Sequence, residues 1–142
     1  MDAILILKQM HEDVKGQFEE LLHTYYPFQA QELWRQLQPV LNRHEQIEET
    51  YVYGPLRQDS GAVLVECIKQ HDHQVKHVQR LIQEANALES LDSRWHTQLT
   101  RVRDALGEHI REEEEQIFPR IEQIWDASRR EEAGQQIEQL HL

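Results

Sequence analysis

Four histidines, His11, His44, His71 and His109, fall where a helical chain would turn them inward. Two have a glutamate one turn later: Glu48 after His44, and Glu113 after His109. A polar group on a buried stripe costs free energy unless it is satisfied. Imidazole and carboxylate are both ligands for first-row transition metals. A His and a Glu four residues apart share a helix face and can grip one ion, or an ion and a bridge. One such pair means little in a Glu-rich chain. Two pairs on alternate core stripes, each facing a lone core histidine, form a specific constellation, which we read as a metal site rather than as unrelated polar core residues.

The elements that must position these groups follow from helical periodicity, because side chains three and four apart share a face. The first stripe reads Ile4, Leu7, His11, Val14, Phe18, Leu21, Tyr25. The second reads Leu33, Leu37, Val40, His44, Ile47 with Glu48, Tyr51. The third reads Leu64, Ile68, His71, Val75, Val78, Ile82, Ala85. The fourth reads Leu99, Val102, Leu106, His109, Glu113, Ile117, Ile121. Each candidate ligand interrupts an otherwise apolar series.

The heights agree independently. In an up-down bundle with short loops, two residues meet only if they are equally far from the intervening turn. His11 and His44 lie about 17 and 16 residues from a turn at Phe28, each roughly 25 Å at 1.5 Å per residue. His44 and His71 lie about 13 and 14 residues from a turn at Leu56 or Arg57. His71 and His109 lie about 20 and 18 residues from a turn at Leu91, a mismatch of about 3 Å. The predicted fold is therefore all-α: an up-down-up-down four-helix bundle, with a short C-terminal helix or tail from about residue 123, in one domain over residues 1–142.

Boundary signals divide the chain. Helix is expected over about 2–25, broken by Tyr26-Pro27; over about 29–53, ended by Gly54-Pro55; from a cap at Asp59 or Ser60 to about 89, after a polar loop over 57–61; and from a cap at Asp92 or Ser93 onward. Pro119 should kink or end the fourth helix. Ser128 and Glu131 have capping-box spacing for a short last helix.

Composition narrows the function classes. The chain has 142 residues, 29% charged and 39% hydrophobic, with few Gly and Pro, which suits a helical globular protein. A net charge of -11 argues against a nucleic-acid or anionic membrane partner. The single cysteine, Cys67, implies no disulfide and reads as a buried thiol. No signal peptide and no apolar run of membrane-spanning length is evident, so a cytoplasmic setting is expected. The zinc-protease pattern fails at Glu48, and Glu20–His23 and Glu138–His141 do not make a ferritin-like pair facing inward. No Ser/His/Asp set, phosphate loop or CxxC is present.

Four pieces carry a resemblance: LKQMHEDVKGQFEEL around His11, NRHEQIEETYVYGPL around His44, KQHDHQVKHVQRLI around His71, and EHIREEEEQIFPRI around His109. Together they span Met1 to about Glu122, and the chain resembles the hemerythrin-like, or HHE cation-binding, domain family. The resemblance implies a four-helix bundle holding two non-haem iron ions, oxo- or hydroxo-bridged. It implies His11, His44, His71 and His109 as terminal ligands and Glu48 and Glu113 as bridges. The oxygen-carrying hemerythrins have a His-x-x-x-His pair on the third helix and an Asp five residues after the fourth-helix His. Here His73 and His77 have the former spacing, but His73 is turned about 200° from His71 and should face solvent. His77, about 120° away, is a candidate fifth histidine at the stripe's margin. Glu114 has the latter spacing, yet Glu113 fits the stripe better.

The remaining candidates read as follows. His23, His96 and His141 should be exposed. Glu45, Glu112 and Glu114 belong to a solvated face unless they orient ligands. Phe18 and Tyr51 are core residues, or walls of a small-ligand pocket. The leading functional expectation is a di-iron protein binding a small diatomic ligand, oxygen or nitric oxide. The alternatives are a di-iron oxidoreductase turning over peroxide or NO or donating iron for repair, an iron or redox sensor, and a plain acidic bundle that engages an unidentified protein partner.

Overall fold

The computed structural model describes residues 1–59 and 61–140, without the side chains of 59, 62 and 63. It is an all-helical bundle, with no strand among the described residues. Helix α1 spans Ala3–Leu22, and the Asp2 carboxylate accepts the Ile4 amide at 2.8 Å to cap it. Helix α2 spans Pro27–Glu48, with proline in its first turn, where a missing N–H costs nothing. A π-helical turn, Glu49–Tyr53, carries it into α3, Gly54–Asp59. Helix α4 spans Ala62–Ala87. Helix α5, Ser93–Glu112, is capped by Asp92. A second π-helical turn, Glu113–Ile117, leads into α6, Phe118–Ile124. Helix α7 spans Ala127–Glu138.

Two boundary expectations are overturned together. Gly54-Pro55 does not end the second helix, and residues 57–59 are helical rather than loop. The reason is the π turn. Proline lacks an N–H, and its ring clashes with the carbonyl four residues back. A turn widened by one residue relieves that clash. The Gly54 amide bonds to the Glu49 carbonyl, and a Cβ on Gly54 would stand 2.7 Å from that same oxygen. Phe118-Pro119 repeats the device on α5, where the Phe118 amide bonds to the Glu113 carbonyl. Helix α1 stops at Leu22, so Tyr25 leaves its stripe and is 87% exposed. The cap expected at Ser60 lies outside the described residues, as does the Asp59 side chain; α4 begins after Gly61. Asp126 caps α7 in place of Ser128, accepting the Arg129 amide at 2.9 Å.

The apolar core has two parts. One gathers Leu7, Val52, Leu56, Ile68, Phe118, Ile121 and Trp125. The other gathers Val14, Phe18, Trp34, Leu37, Val78, Leu99, Val102 and Leu106. Each candidate histidine falls between them: His11 between Leu7 and Val14, His44 between Leu41 and Ile47, His71 between Ile68 and Val78, His109 between Leu106 and Ile117. The chain therefore passes through one polar layer four times. Helix α7 closes the end of the first part with Ala133 and Ile137, and Gly134 sits so close to the Met1 carbonyl that a Cβ would clash at 1.8 Å. No helix among the described residues is long and apolar enough to cross a membrane.

Candidate metal centre

His11, His44, His71, His109, Glu48 and Glu113 converge in the polar layer, and all six are buried. All four histidines turn Nε2 inward. The Nε2 atoms of His11 and His44 are 3.1 Å apart. Two nitrogens about 2.1 Å from one ion, at a right angle, would stand about 3.0 Å apart. Two sets of ligand atoms lie within 4.8 Å of one another: His11, His44, Glu48 and Glu113, and Glu45, Glu48, His71 and His109.

The carboxylates span the two sets. Glu48 Oε1 contacts His44 Nε2 and lies 3.3 Å from His11 Nε2, while its Oε2 lies 3.4 Å from His71 Nε2. Glu113 Oε1 lies 2.9 Å from His11 Nε2, while its Oε2 lies 3.1 Å from His71 Nε2 and 4.0 Å from His109 Nε2. Each glutamate thus offers one oxygen to each pair of histidines.

Two of the outer ring nitrogens are held from behind. His11 Nδ1 is 2.6 Å from Glu114 Oε2. His109 Nδ1 is 2.8 Å from Gln74 Oε1. The amide orientation of Gln74 follows from chemistry: its Nε2 donates to the Glu112 carboxylate, so its oxygen must face His109. An acceptor opposite Nδ1 requires an N–H there, which leaves the Nε2 lone pair of a neutral ring free for a metal. His71 Nδ1 stands 3.6 Å from Asp72.

Aromatic rings close one side of the layer. Tyr53 ends the first π turn and Phe118 directly follows the second, each five residues after a buried glutamate. Tyr53 stacks on His71 at 4.0 Å and donates to Glu113 Oε2 at 2.6 Å. Phe118 stacks on His11 at 5.8 Å. On the other side a cavity of about 30 Å³ touches His11, His44, Glu45 and His109 and is otherwise walled mainly by Val14, Leu41, Val75, Val78, Ile82 and Leu106.

Two buried carboxylates among four histidines set the electrostatics of the layer. Burial works against the imidazolium of His11, but Glu113 and Glu48 outweigh it and raise its pKa from 6.5 to about 10. The same balance raises His71 to about 10. Burial also opposes charge on His44, and Glu48 again raises it. Burial pushes the Glu48 carboxyl up, but His44, His11 and His71 hold it well below the usual carboxylate range. Burial, and then the charge of Glu113, keep the Tyr53 phenol neutral. The Nδ1 atoms of His44 and His71 are buried without a hydrogen-bond partner, and Glu113 Oε1 is buried with only His11 Nε2 beside it. Four inward Nε2 groups and two buried carboxylates fit a transition-metal cluster, whose positive charge would take the place of the protons.

Several sequence expectations need correction. His77 is exposed and its Nδ1 lies 3.3 Å from the Arg80 guanidinium, so it does not join the cluster. His73, His23 and His96 are exposed, as expected; His141 lies outside the described residues. Glu114 contacts His11, and Glu112 accepts from the Gln74 amide that stands behind His109, rather than merely facing solvent. Neither Phe18 nor Tyr51 lines the 30 Å³ cavity: Phe18 belongs to the core beyond it and Tyr51 packs against the opposite part. Sequence reasoning missed Tyr53 and Gln74, and read Glu45 as a solvated-face residue that could orient ligands rather than as one beside His109. Tyr53 carried one usable signal, its place just before Gly54-Pro55.

Comparison with curated proteins and with solved structures gives no significant match. The family model described as the hemerythrin HHE cation-binding domain matches residues 2–121. With that match over most of the chain, and a buried His/Glu cluster able to hold metal, the chain belongs to the hemerythrin HHE cation-binding domain family.

Proposed function

We propose that this chain is a non-haem di-iron protein that binds a small diatomic ligand, oxygen or nitric oxide, in its core. One observation carries the reading: Glu48 and Glu113 each offer one oxygen to each histidine pair. That arrangement would let both carboxylates be shared between two metal ions. In this reading His11 and His44 hold one iron, His71 and His109 hold the other, and the four helices run up-down-up-down in a single domain. Imidazole and carboxylate together suit iron. Two ferrous ions, when bound, would supply electrons and open coordination positions to the ligand.

The chain's own residues do the rest. Glu114 and Gln74 fix the rings of His11 and His109 so that their lone pairs point inward. Tyr53 holds Glu113 through its hydroxyl. Tyr53 and Phe118 exclude water on one side, and apolar walls do so on the other. A cavity of about 30 Å³ is roughly two water-sized spheres, which supports a diatomic ligand and argues against a larger organic substrate. The test is an anaerobic preparation loaded with two equivalents of ferrous iron and exposed to oxygen or NO. A new visible spectrum at one ligand per chain supports the proposal. An unchanged spectrum with both gases contradicts it.

A further inference from the structure

Helix α4 carries a basic stripe that the metal layer does not use. Lys69, His73, Lys76, His77 and Arg80 are all exposed. At about 100° per residue they fall within an arc of about 100°, and the stripe runs about 17 Å along the helix. Asp72, the one acidic residue between its ends, lies off this arc, where Arg57 donates to it at 2.6 Å. Beside the stripe runs a groove of about 450 Å³ between α4 and the stretch from α5 to α6. Arg111 and Arg120 stand on its far wall, Cys67 and Gln70 on its near wall, and it reaches the buried His71. Glu112 and Glu115 also line it, and Glu112 is engaged by the Gln74 amide. Among the described residues no carboxylate pairs with Lys69, Lys76, Arg80, Arg111 or Arg120, in a chain with 26 acidic residues against 15 lysines and arginines.

We infer that this face docks an acidic one-electron carrier, an iron–sulfur or flavin protein whose reduced form passes electrons to the metal centre across α4. The inference rests on the di-iron reading above. The cations are spread along an outward face instead of converging on a point, so they match a protein surface better than a small anion. A nucleic acid would meet the same cations, but the rest of a chain with net charge -11 would repel a long polyanion. A compact carrier touches one face only, and charges beyond the Debye length of about 8 Å are screened from it. His71 sits on α4 itself, so a carrier seated on the stripe stands about one helix diameter, roughly 10–12 Å, from the polar layer.

The chemistry gives such a donor a use. Oxygen that leaves as hydrogen peroxide takes two electrons from the iron pair and two protons from solvent. Two reduced carriers, docking in turn, restore those electrons one at a time and leave oxidised.

The test is isothermal titration calorimetry of metal-free and iron-loaded protein, with an acidic plant-type ferredoxin as the probe and basic cytochrome c as its control. The face variant Lys69→Glu/Lys76→Glu/Arg80→Glu is compared with Lys15→Glu/Arg35→Glu/Arg94→Glu, which changes net charge equally on other faces. All six positions are exposed and helical, so folding survives, and circular dichroism checks it. Ferredoxin is expected to bind with an affinity that falls as salt rises, and to bind the face variant about tenfold more weakly, with the control variant within about threefold of wild type. Reduced ferredoxin should also reduce the oxidised, iron-loaded face variant about tenfold more slowly, with reduction by dithionite unchanged. No binding of ferredoxin, tighter binding of cytochrome c, equal loss in both variants, or equal affinity for single-stranded DNA would overturn the inference and leave the di-iron site standing. Ferredoxin that binds the metal-free chain as expected, on a protein that takes up no iron, would support the docking face and overturn the di-iron reading, and with it the electron delivery.

Discussion

The Tyr53 hydroxyl donates a 2.6 Å hydrogen bond to Glu113 Oε2 from the far side of the bundle, out of the π turn that begins one residue after Glu48. Its counterpart just after the other π turn is Phe118, which stacks on His11 and has no hydroxyl. The two rings make a near-repeat in which only one side can donate a proton to a buried carboxylate.

Tyr53→Phe isolates that hydroxyl. The ring still packs on His71, so the variant folds. A hydrogen bond to a charged group contributes about 1.5–3 kcal/mol, and the metal-free variant should lose about that much in urea unfolding. The iron-loaded variant should also show a shifted visible spectrum, because Glu113 is freed from its anchor. Unfolding and spectrum both matching wild type would show that the contact has no consequence.

Gln74 and Glu114 orient His109 and His11 from behind. Removing such partners commonly weakens metal binding about 10–100-fold. Gln74→Leu should loosen iron by that factor in equilibrium dialysis while leaving helical content intact. Gln74→Glu, which keeps an acceptor opposite the ring nitrogen, should recover part of the loss. Equal affinity in wild type and Gln74→Leu would sink the assignment.

Proton competition sets the pH dependence of the metal-free protein. His11 and His71 titrate near 10 when folded, against 6.5 unfolded. A raised folded value means that their contribution to stability is fully present below pH 6.5 and is lost as the pH rises through about 10. The urea midpoint of the metal-free protein should therefore fall between these limits, and fall less in a His71→Leu variant. Because ligand protons must leave before an ion binds, metal affinity should climb over the same interval with release of protons. A midpoint that is flat or rising across this interval would contradict the electrostatic account.

The layer of four histidines and two glutamates was legible in the sequence because helical periodicity is strong and each ligand interrupts an apolar stripe. The structure has His11, His44, His71 and His109 at one height between the two parts of the core, although the turns expected at Phe28 and at Leu56 or Arg57 fall inside helices, so that equal distance from them was not what set the level. The π turns were not legible. Gly54-Pro55 is a common helix-end signal, and only the clash of a Cβ with the Glu49 carbonyl explains why glycine serves here to widen the helix instead. That misreading also hid Tyr53, which a regular helix would not carry onto His71. Gln74 escaped, and Glu45 was read only as a solvated or orienting residue, for another reason. Each lies off the stripe of its own helix and reaches the site only across the gap between helices, which a single-helix pattern does not encode.

The central claim is that two metal ions share Glu48 and Glu113 in this core, and it is tested most directly by counting iron. Elemental analysis of iron-loaded wild type and His109→Ala, with visible spectra taken in air, decides it. The account predicts about two irons per chain in wild type with charge-transfer bands of a bridged pair, and loss of the bands together with at least one iron in His109→Ala. Folded wild-type protein that holds no iron after loading, or His109→Ala that retains both irons and the bands, would contradict it.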